Sequence, residues 1–506
     1  MNVFRLIPFF ALLLLASCQN TKNSSSASAR QIKADLNYLD NYIAEHSSYA
    51  GLNGFDYQKA FSQFLQEHEG QTVTQEEFGL FLTTTIGKMG DRHANVRGYR
   101  FPSNLCFPTA FAPYGDAVVY LNSITTTQQY EFAHPAFPVV KAIDNMPINE
   151  LLAKATPEDF SAPKTAYLTK AVRELRDIDE LYAQWGKTLP NPILMTLSNL
   201  EKTKDTTIQV ELVDRSQRRW KWDEQFYRQF FMLDDEDYNK DSIIQQLFSI
   251  DEGIGYVRIP SMVEQDEAPQ LYARFNQFMH EIEPESKALI IDVRSNGGGV
   301  RDLIYEMAGY FVHPDSVYVV NVAQQRGEQP LNEDLKDDLH HRYLYAKDEL
   351  DEREKEAVQT FLTTFTPMYD LDPTKFSPFH YMLFNGQKLA QGKFHYNKPV
   401  YILCNERTFS AASVLVAVFK GLPNITIAGV NTDGSSGNSE RFRLPKTQLR
   451  GKISTMVSFQ KDGKTLDGYG TAPDLELKRD VDQILWKRDA QLEDLKALIK
   501  GDKGEN

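Results

Sequence analysis

Ser410 stands at a point in the sequence where a serine hydroxyl can act as a nucleophile. The stretch VYILCNERTFSAASVLVAVFK, residues 400–420, is typical of a buried strand, a polar turn and a buried helix that begins near Ser410. A serine at such a turn presents its hydroxyl at the edge of a sheet, beside the unpaired N–H groups of the first helical turn. Serine also caps helices readily. The stretch by itself leaves both roles open.

Hydrolysis by a serine also needs N–H groups that hold the oxyanion. The N–H of Ala411 is one candidate, because it opens the predicted helix. The glycine run 297–299 directly follows the predicted strand of DVRSNGGG, and glycine lets a backbone come close to a bound atom. This glycine run can supply the second donor, although it can also be a simple turn or a strip for pairing with a peptide. Asp292 and Arg294, before this run, are predicted to form a structural ion pair.

The serine further needs a base, and the base needs a group that orients it. His93, in GDRHANV, is the candidate base, although a lone histidine near a helix end is often structural. Asp467, in LDGYGTAPD, is the candidate orienting acid, although Asp before Gly also favours a turn. Each residue alone keeps its structural alternative.

Taken together and in this order, these segments resemble the C-terminal processing peptidase and tricorn-core family of serine peptidases. LIIDVRSNGGG and ERTFSAAS are similar to the family segments that carry the oxyanion glycine and the nucleophile. IAGVNTDGSSG and DGYGTAPDLEL look like two later turns of the same core. The resemblance implies that Ser410 is the nucleophile and that Gly298 and Ala411 hold the oxyanion. It also implies a multidomain α/β protein whose peptidase core is of the crotonase-like type.

The departures from the family pattern select a branch. One branch uses a lysine base at the position that Ser435 occupies here, so the resemblance implies the tricorn-like branch, with His93 as base and Asp467 as acid. In that branch a serine precedes the histidine, and here Arg92 stands in its place. Asp467 is one methylene shorter than glutamate, so its contact with His93 can be direct or through another group. Arg92 and Gly297 are further candidates for an orienting or substrate contact, and Arg92 can pair with Asp467 or bind a substrate carboxylate.

The 506 residues are enough for several domains, which differ in hydrophobic periodicity and composition. The predicted segments are a lipoprotein signal peptide (1–17), a Ser-rich tether (18–30), an N-terminal helical domain with the candidate base (31–100), a PDZ-like β-rich domain with a helical insert (101–215), a linker (216–247), the serine peptidase core (248–485) with an insert at about 325–396, and a charged C-terminal helix or tail (486–506). A small β domain without a peptide groove is the alternative for 101–215.

The N-terminus has the form of an export signal, because Arg5 precedes a short apolar run. LASC, which ends at Cys18, resembles the bacterial lipoprotein cleavage box and implies that Cys18 is lipidated. An ordinary signal peptide with an incidental cysteine is the alternative. We expect an exported, membrane-anchored lipoprotein of the bacterial cell envelope that faces the periplasm. The remaining Cys106 and Cys404 can pair in an oxidising compartment, or Cys404 can be a buried small hydrophobe.

The predicted function is that of a serine endopeptidase acting on extended or unfolded peptides or on C-terminal tails. No cofactor and no metal site is predicted. The formal net charge is −14 and no Lys/Arg block occurs, which argues against nucleic acid as a partner. The expected partners are a peptide or unfolded protein substrate and, through the lipid anchor, a membrane. The alternative function is a catalytically inactive scaffold that binds peptides or apolar ligands.

Overall fold

The structure of the protein is a computed structural model that describes residues 26–124, 126–156, 161–218, 221–222 and 233–501. The predicted signal peptide and Cys18 lie outside these residues. Within the described ranges, every helix is too short or too polar to cross a membrane.

The described helices and strands are numbered here in chain order. The helices are α1 (Ala29–His46), α2 (Tyr57–Glu67), α3 (Gln75–Gly87), α4 (Ile148–Ala155), α5 (Lys164–Glu174), α6 (Ile178–Gln184), α7 (Asp241–Leu247), α8 (Pro269–Ile282), α9 (Asp302–Phe311), α10 (Glu333–His340), α11 (Glu352–Leu362), α12 (Gly386–Ala390), α13 (Ala411–Phe419), α14 (Val481–Ile484) and α15 (Ala490–Lys500). The strands are β1 (Ser26–Ser28), β2 (Thr72–Thr74), β3 (Asn95–Arg97), β4 (Leu105–Cys106), β5 (Ala110–Tyr114), β6 (Ala117–Ile124), β7 (Gln129–Phe132), β8 (Val139–Ile143), β9 (Met146–Pro147), β10 (Ile193–Ser198), β11 (Asp205–Val210), β12 (Val213–Asp214), β13 (Phe248–Asp251), β14 (Ile254–Arg258), β15 (Ala288–Asp292), β16 (Val317–Gln325), β17 (His380–Asn385), β18 (Val400–Cys404), β19 (Ile425–Gly429), β20 (Ser439–Arg443), β21 (Arg450–Ser454), β22 (Met456–Phe459) and β23 (Leu475–Glu476).

The N-terminal region is built from α1, α2 and α3, whose apolar stripes are buried against one another. Side-chain caps start two of these helices. The Asp56 carboxylate accepts a hydrogen bond from the Lys59 N–H before α2, and the Thr74 hydroxyl accepts one from the Glu77 N–H before α3. The loop that follows α3 carries the candidate base, His93.

The predicted Ser-rich tether, residues 18–30, ends earlier than expected. Ser26–Ser28 form β1, which pairs antiparallel with Thr72–Thr74, and Ala27 is buried between the helices. Helix α1 already begins at Ala29. The last five residues of that segment are folded because strand pairing and burial of an alanine hold them in place.

A mainly antiparallel architecture occupies the segment predicted to be PDZ-like. Its sheet has the order β11-β10-β8-β6-β5, with β7 paired to β6 and β9 paired to β8. Helices α4, α5 and α6 cover one side of this sheet and share a buried apolar core with it. The PDZ-like assignment itself stays a prediction.

The C-terminal half contains a six-stranded sheet in the order β13-β14-β15-β18-β19-β23. All neighbours from β14 to β23 are parallel, and only β13 pairs antiparallel. Strands β15 and β18 are almost entirely buried, as near-continuous apolar strands require when both faces are covered. The predicted α/β multidomain fold class is confirmed.

A second small sheet connects the N-terminal region to this core. Strand β3 pairs with β21, which pairs with β20. Because β3 begins two residues after His93, this pairing brings a histidine from the N-terminal region to the peptidase core. Residues 93 and 410 are therefore brought together by a β ladder rather than by proximity in the chain.

Two predicted boundaries change in the structure. The described part of the predicted linker, 216–247, is not extended, since it contains α7 and a buried Trp222 whose Nε1–H donates to the Ile484 carbonyl. The predicted insert, about 325–396, contributes strand β17, which pairs with β16 of the preceding segment. Both segments pack into the core because they carry large apolar side chains.

Two smaller predictions can also be compared with the structure. Asp292 and Arg294 form the expected buried ion pair at 2.7 Å, and Arg258 adds a second contact to the same carboxylate at 2.7 Å. Cys106 and Cys404 are both buried and both free, so the pairing alternative is wrong and Cys404 is a small buried side chain.

Candidate active site

Ser410 lies between β18 and α13 in a strained backbone conformation. Its φ is 52° and its ψ is −126°, a region that side chains with a Cβ rarely occupy. Its side chain makes no capping hydrogen bond to the helix. A sharp strand-to-helix turn of this kind lifts a serine Oγ out of the sheet edge, as in a nucleophile elbow. The helix-cap interpretation of Ser410 is therefore not supported.

His93 faces this hydroxyl. Its Nε2 lies 3.2 Å from the Ser410 Oγ, and its ring packs against the Phe409 ring with centroids 5.1 Å apart. The His93 side chain is only 5% exposed. The hydrogen bond joins residues that are 317 positions apart in the chain. The geometry brings together the predicted nucleophile and the predicted base.

The surroundings of His93 keep its imidazole neutral. Burial and the charge of Lys452 lower the pKa of His93 to about 3, while the main chain of Ser436 opposes this shift. The charges of Arg342 and Arg92 contribute to this lowering of the pKa. Nδ1 is buried and forms no hydrogen bond of ordinary geometry with a described residue. A neutral imidazole with its proton on Nδ1 leaves Nε2 free to accept the serine proton.

Asp467 approaches the histidine only through another residue. Its Oδ2 accepts a hydrogen bond of 2.8 Å from the Ser436 Oγ, and its Oδ1 is buried without a hydrogen bond to the described residues. Burial and the nearby charge of Asp91 raise the pKa of Asp467 to about 8. Among the described residues Asp467 forms no direct hydrogen bond with His93. Ser436 contacts Asp467 through its hydroxyl, while its main chain acts to raise the pKa of His93.

Arg92 does not pair with Asp467. Its guanidinium forms an ion pair of 2.8 Å with Asp433, and both side chains are largely buried. The charge of Arg92 still lowers the pKa of Asp467 to a small extent. Arg92 therefore joins the N-terminal region to the loop that also carries Ser435 and Ser436.

Gly298 packs directly against the nucleophile. A Cβ at this position would lie 2.5 Å from the Ser410 Cβ and 2.9 Å from the Phe409 carbonyl oxygen, and φ is +94°. The Gly298 N–H, however, donates to the Asn296 Oδ1 at 2.8 Å. In this structure the Gly298 N–H is therefore occupied, and it serves as the predicted oxyanion donor only after leaving Asn296. Ala411, the first residue of α13, keeps its N–H in the turn that has no intrahelical acceptor.

A cavity of about 400 Å³ opens next to the site. Gly297 and Phe409 line its inner end, and Tyr238 and Arg173 lie on its walls. Helix α5 from the predicted PDZ-like segment forms one wall, where the Thr169 hydroxyl donates to the buried Glu406 at 2.8 Å. Gly297 thus lies where an extended peptide can enter, and Glu406 ties that wall to the loop before the nucleophile.

Two residues that sequence reasoning missed support the site. Asp91 accepts hydrogen bonds from the N–H groups of His93 and Ala94, and from both the N–H and the hydroxyl of Ser454. The Ser436 hydroxyl donates to Asp467, and the Ser436 main chain favours the protonated form of His93. The signal for Asp91 is its place two residues before a histidine, where an aspartate side chain readily accepts from the following backbone. Nothing in GSSG distinguished Ser436 from Ser435.

The parts of this site are those that a serine-type peptidase uses. Residues 253–477, a little under half of the chain, match the sequence model of Peptidase family S41.

Individual proteins are similar to this chain in sequence or in fold. The Chlamydia pneumoniae protein CPj1016/CpB1054 is 24% identical over 248 residues, which cover 44% of this chain and 40% of that protein. The match thus spans less than half the length of this curated relative. The structure of mature CPAF complexed with lactacystin superposes with a TM-score of 0.60 at 16% identity and covers 93% of this chain and 98% of that chain. The crystal structure of mature CPAF gives a TM-score of 0.60 at 16% identity over 94% and 98%. These similarities show a shared fold.

Proposed function

We propose that this protein is a serine endopeptidase that cleaves extended or unfolded peptide segments or C-terminal tails through an acyl-enzyme. The observation that carries the proposal is the 3.2 Å contact between the His93 Nε2 and the Oγ of a strained Ser410. Ser410 in its strained turn and His93 form one unit, although they are 317 positions apart in the chain.

In the first half-reaction, the Ser410 Oγ attacks the scissile carbonyl carbon while the His93 Nε2 accepts the hydroxyl proton. The oxyanion forms beside the helix N-terminus, where the Ala411 N–H and the positive end of α13 stabilise its charge. The resulting imidazolium gives its proton to the leaving amine as the C–N bond breaks, which leaves Ser410 acylated. Water then loses a proton to His93 and attacks the acyl carbon. The bond between that carbon and the Ser410 Oγ breaks, and His93 returns its proton to the Oγ as the second product leaves.

Asp467 acts on the imidazolium through Ser436. The positive charge that develops on His93 favours the ionised carboxylate, which the Ser436 hydroxyl orients at 2.8 Å. The Gly298 N–H is the second oxyanion donor in this proposal. To act as one, it exchanges its hydrogen bond with Asn296 for one with the substrate. Such a tightening on substrate binding is common for catalytic hydrogen bonds.

The occupied Gly298 N–H is also the observation that favours the alternative, an inactive scaffold that binds peptides or apolar ligands. In a scaffold the serine would be unreactive because one oxyanion donor is held by Asn296. The two functions differ in whether Ser410 forms a covalent bond.

A fluorophosphonate probe with intact-protein mass measurement distinguishes them. We expect one adduct on the wild-type protein, none on Ser410→Ala and strongly reduced labelling of His93→Ala. Ser413→Ala is the matched control, since Ser413 lies one turn later and bonds the Thr432 hydroxyl instead of the site. No adduct on the wild type, together with intact casein after incubation, contradicts the peptidase proposal.

We further propose that the protein is exported and anchored in the cell envelope by lipid on Cys18, facing the periplasm. The support is the LASC box after a short apolar run. Metabolic labelling with a palmitate analogue tests this, because Cys18→Ser removes the label. Unchanged labelling of that variant, or release of the wild type as an unlipidated soluble protein, contradicts it.

A further inference from the structure

The small sheet beside His93 carries five basic side chains on one face. In its register, Arg441 lies opposite Lys452. Arg443 lies opposite Arg450, and Arg450 lies opposite Arg97. Directly paired residues and every second residue along a strand share a face. These five cations, from β20, β21 and β3, therefore form one surface, called here the basic face.

The other face of the same sheet is turned towards the protein. Phe442, Ile453 and Val96 are buried in the core of the N-terminal helices. Glu440, on that same side, lies 3.3 Å from the His46 Nδ1 and accepts a hydrogen bond from the Tyr42 hydroxyl. The acidic residue of these strands is thus separated from the basic face by the sheet itself.

The basic face is exposed and lacks compensating acids. The four arginines are exposed and Lys452 is half-buried. Among the residues that the structure describes, no carboxylate comes within ion-pair distance of any of the five. Like charges directly opposite each other on a sheet are destabilising. The sheet therefore keeps an electrostatic repulsion in a chain whose formal net charge is −14, and an anionic ligand would relieve it.

The basic face begins at the catalytic site. Lys452 pairs with Asn95, two residues after His93, and its charge is felt by the His93 imidazole. One row further inward, Ser454 bonds Asp91, which holds the His93 N–H. In the outward direction the next row contains the exposed Arg450. The sheet thus connects the His93 loop to an exposed row of cations.

We propose that the basic face is a secondary binding surface for acidic segments of the peptide substrate. A run of Asp or Glu next to the cleaved segment would lie along the basic face while the scissile bond sits at Ser410. This specificity rests on the proposed peptidase function and names its substrate class. Continuity with His93 favours a substrate over an anionic membrane surface, which would need no connection to the catalytic residues.

A binding measurement tests the proposal without requiring catalysis. The full-length Ser410→Ala protein is titrated into fluorescein-labelled, C-terminally amidated hexaglutamate and hexaglutamine, with fluorescence anisotropy as the readout. We expect hexaglutamate to bind about tenfold more tightly at low ionic strength, with the difference shrinking as salt screens the charges. The double variant Arg443→Glu/Arg450→Glu, called here the reversed basic face, should lose the preference for hexaglutamate. The matched control Arg30→Glu/Lys33→Glu, at two exposed positions of α1, should keep that preference. Equal binding of the two peptides to the starting protein, or a preference that survives in the reversed basic face, overturns the proposal.

Two further arms identify the source of the negative charge. A peptide with a free C-terminal carboxylate but no acidic side chains should bind like hexaglutamine, and preferential binding of that peptide overturns the assignment to acidic side chains. Sedimentation with phosphatidylglycerol vesicles that depends on Arg443 and Arg450, without hexaglutamate binding, overturns it in favour of a membrane surface. Because these arms use an inactive protein, an unreactive Ser410 would refute the peptidase function without altering them. In the active enzyme, the reversed basic face should raise KM for an acidic fluorogenic peptide and leave kcat unchanged.

Discussion

The Ser410 N–H donates a hydrogen bond of 2.9 Å to the Ser435 hydroxyl. Ser435 occupies the position at which one branch of related enzymes carries a lysine base. Here the residue at that position does not touch the reacting hydroxyl. It supports the backbone of Ser410, the proposed nucleophile, and the proposed base is His93.

Ser435→Ala should weaken catalysis by loosening the strained turn. The substitution leaves a buried N–H without its acceptor, which costs about 1–3 kcal/mol. We expect kcat to fall roughly tenfold with little change in KM, because the Ser410 Oγ is misplaced rather than the substrate. Steady-state kinetics with a fluorogenic peptide measures this. Ser435→Thr, which retains the hydroxyl, should recover most of the rate, and an inactive Thr variant with a normal Ala variant would contradict this role.

The pH dependence should be governed by Asp467 rather than by His93. Burial lowers the pKa of His93 to about 3, so this base is already neutral throughout the usual range. Burial and the charge of Asp91 raise the pKa of Asp467 to about 8, so its ionised form appears only as pH rises through that value. We expect kcat/KM to rise with pH around 8, which gives the pH profile an ascending limb there. Asp467→Asn should abolish this limb. A limb near 6.5 that persists in Asp467→Asn would contradict the assignment.

Gly298→Ala should inactivate the enzyme while the fold persists. The new methyl group would lie 2.5 Å from the Ser410 Cβ, at a backbone φ of +94°. We expect a loss of about 1–3 kcal/mol of unfolding free energy and at least a hundredfold loss in kcat/KM. Gly297→Ala is the matched control, because nothing lies within 4 Å of its added Cβ. Thermal melts and kinetics on both variants provide the measurement, and equal activity of the two would argue against close packing at Gly298.

Asp91→Asn should affect stability and pH dependence together. The carboxylate accepts four hydrogen bonds that join the His93 loop to Ser454 on β21. Asparagine retains one acceptor oxygen, so we expect a loss of about 2–3 kcal/mol, and more for Asp91→Ala. Removal of the Asp91 charge should also shift the Asp467 limb to lower pH, because that charge helps to raise the pKa of Asp467.

Asp56→Ala is the control for this change, since it removes an exposed helix cap in the same N-terminal region at a cost of about 1 kcal/mol. It should leave the pH profile of kcat/KM where it is in the wild type. If Asp91 has only a structural role, Asp91→Asn will lower the melting temperature and leave the pH profile of kcat/KM unchanged.

Local sequence was sufficient to predict the strand, turn and helix around Ser410 and the α/β class. A buried strand, a polar turn and an apolar helix are encoded within about twenty residues, and near-continuous apolar strands indicate a covered parallel sheet. The buried pair of Asp292 and Arg294 followed from the same local pattern. These features depend on neighbours in the chain, which a sequence displays directly.

The contacts of Asp467 and Arg92 could not be assigned in this way. Asp467 bonds Ser436 rather than His93, and Asp433 rather than Asp467 pairs with Arg92. A difference of one residue along a turn decides such partners, and the turn is shaped by packing against distant segments. The hydrogen bond from the Gly298 N–H to the Asn296 side chain was not predicted for the same reason.

The sequence by itself determined which groups can react: a serine at a strand-to-helix turn, a glycine run after a buried strand, and a histidine that needs a partner. Tertiary structure alone decided that residues 93 and 410 meet and that cations from 95–97, 439–443 and 450–454 share one face. The physical reason is strand pairing across long separations in the chain. The register of β3, β21 and β20 determines both the place of His93 and the alignment of five positive charges beside it.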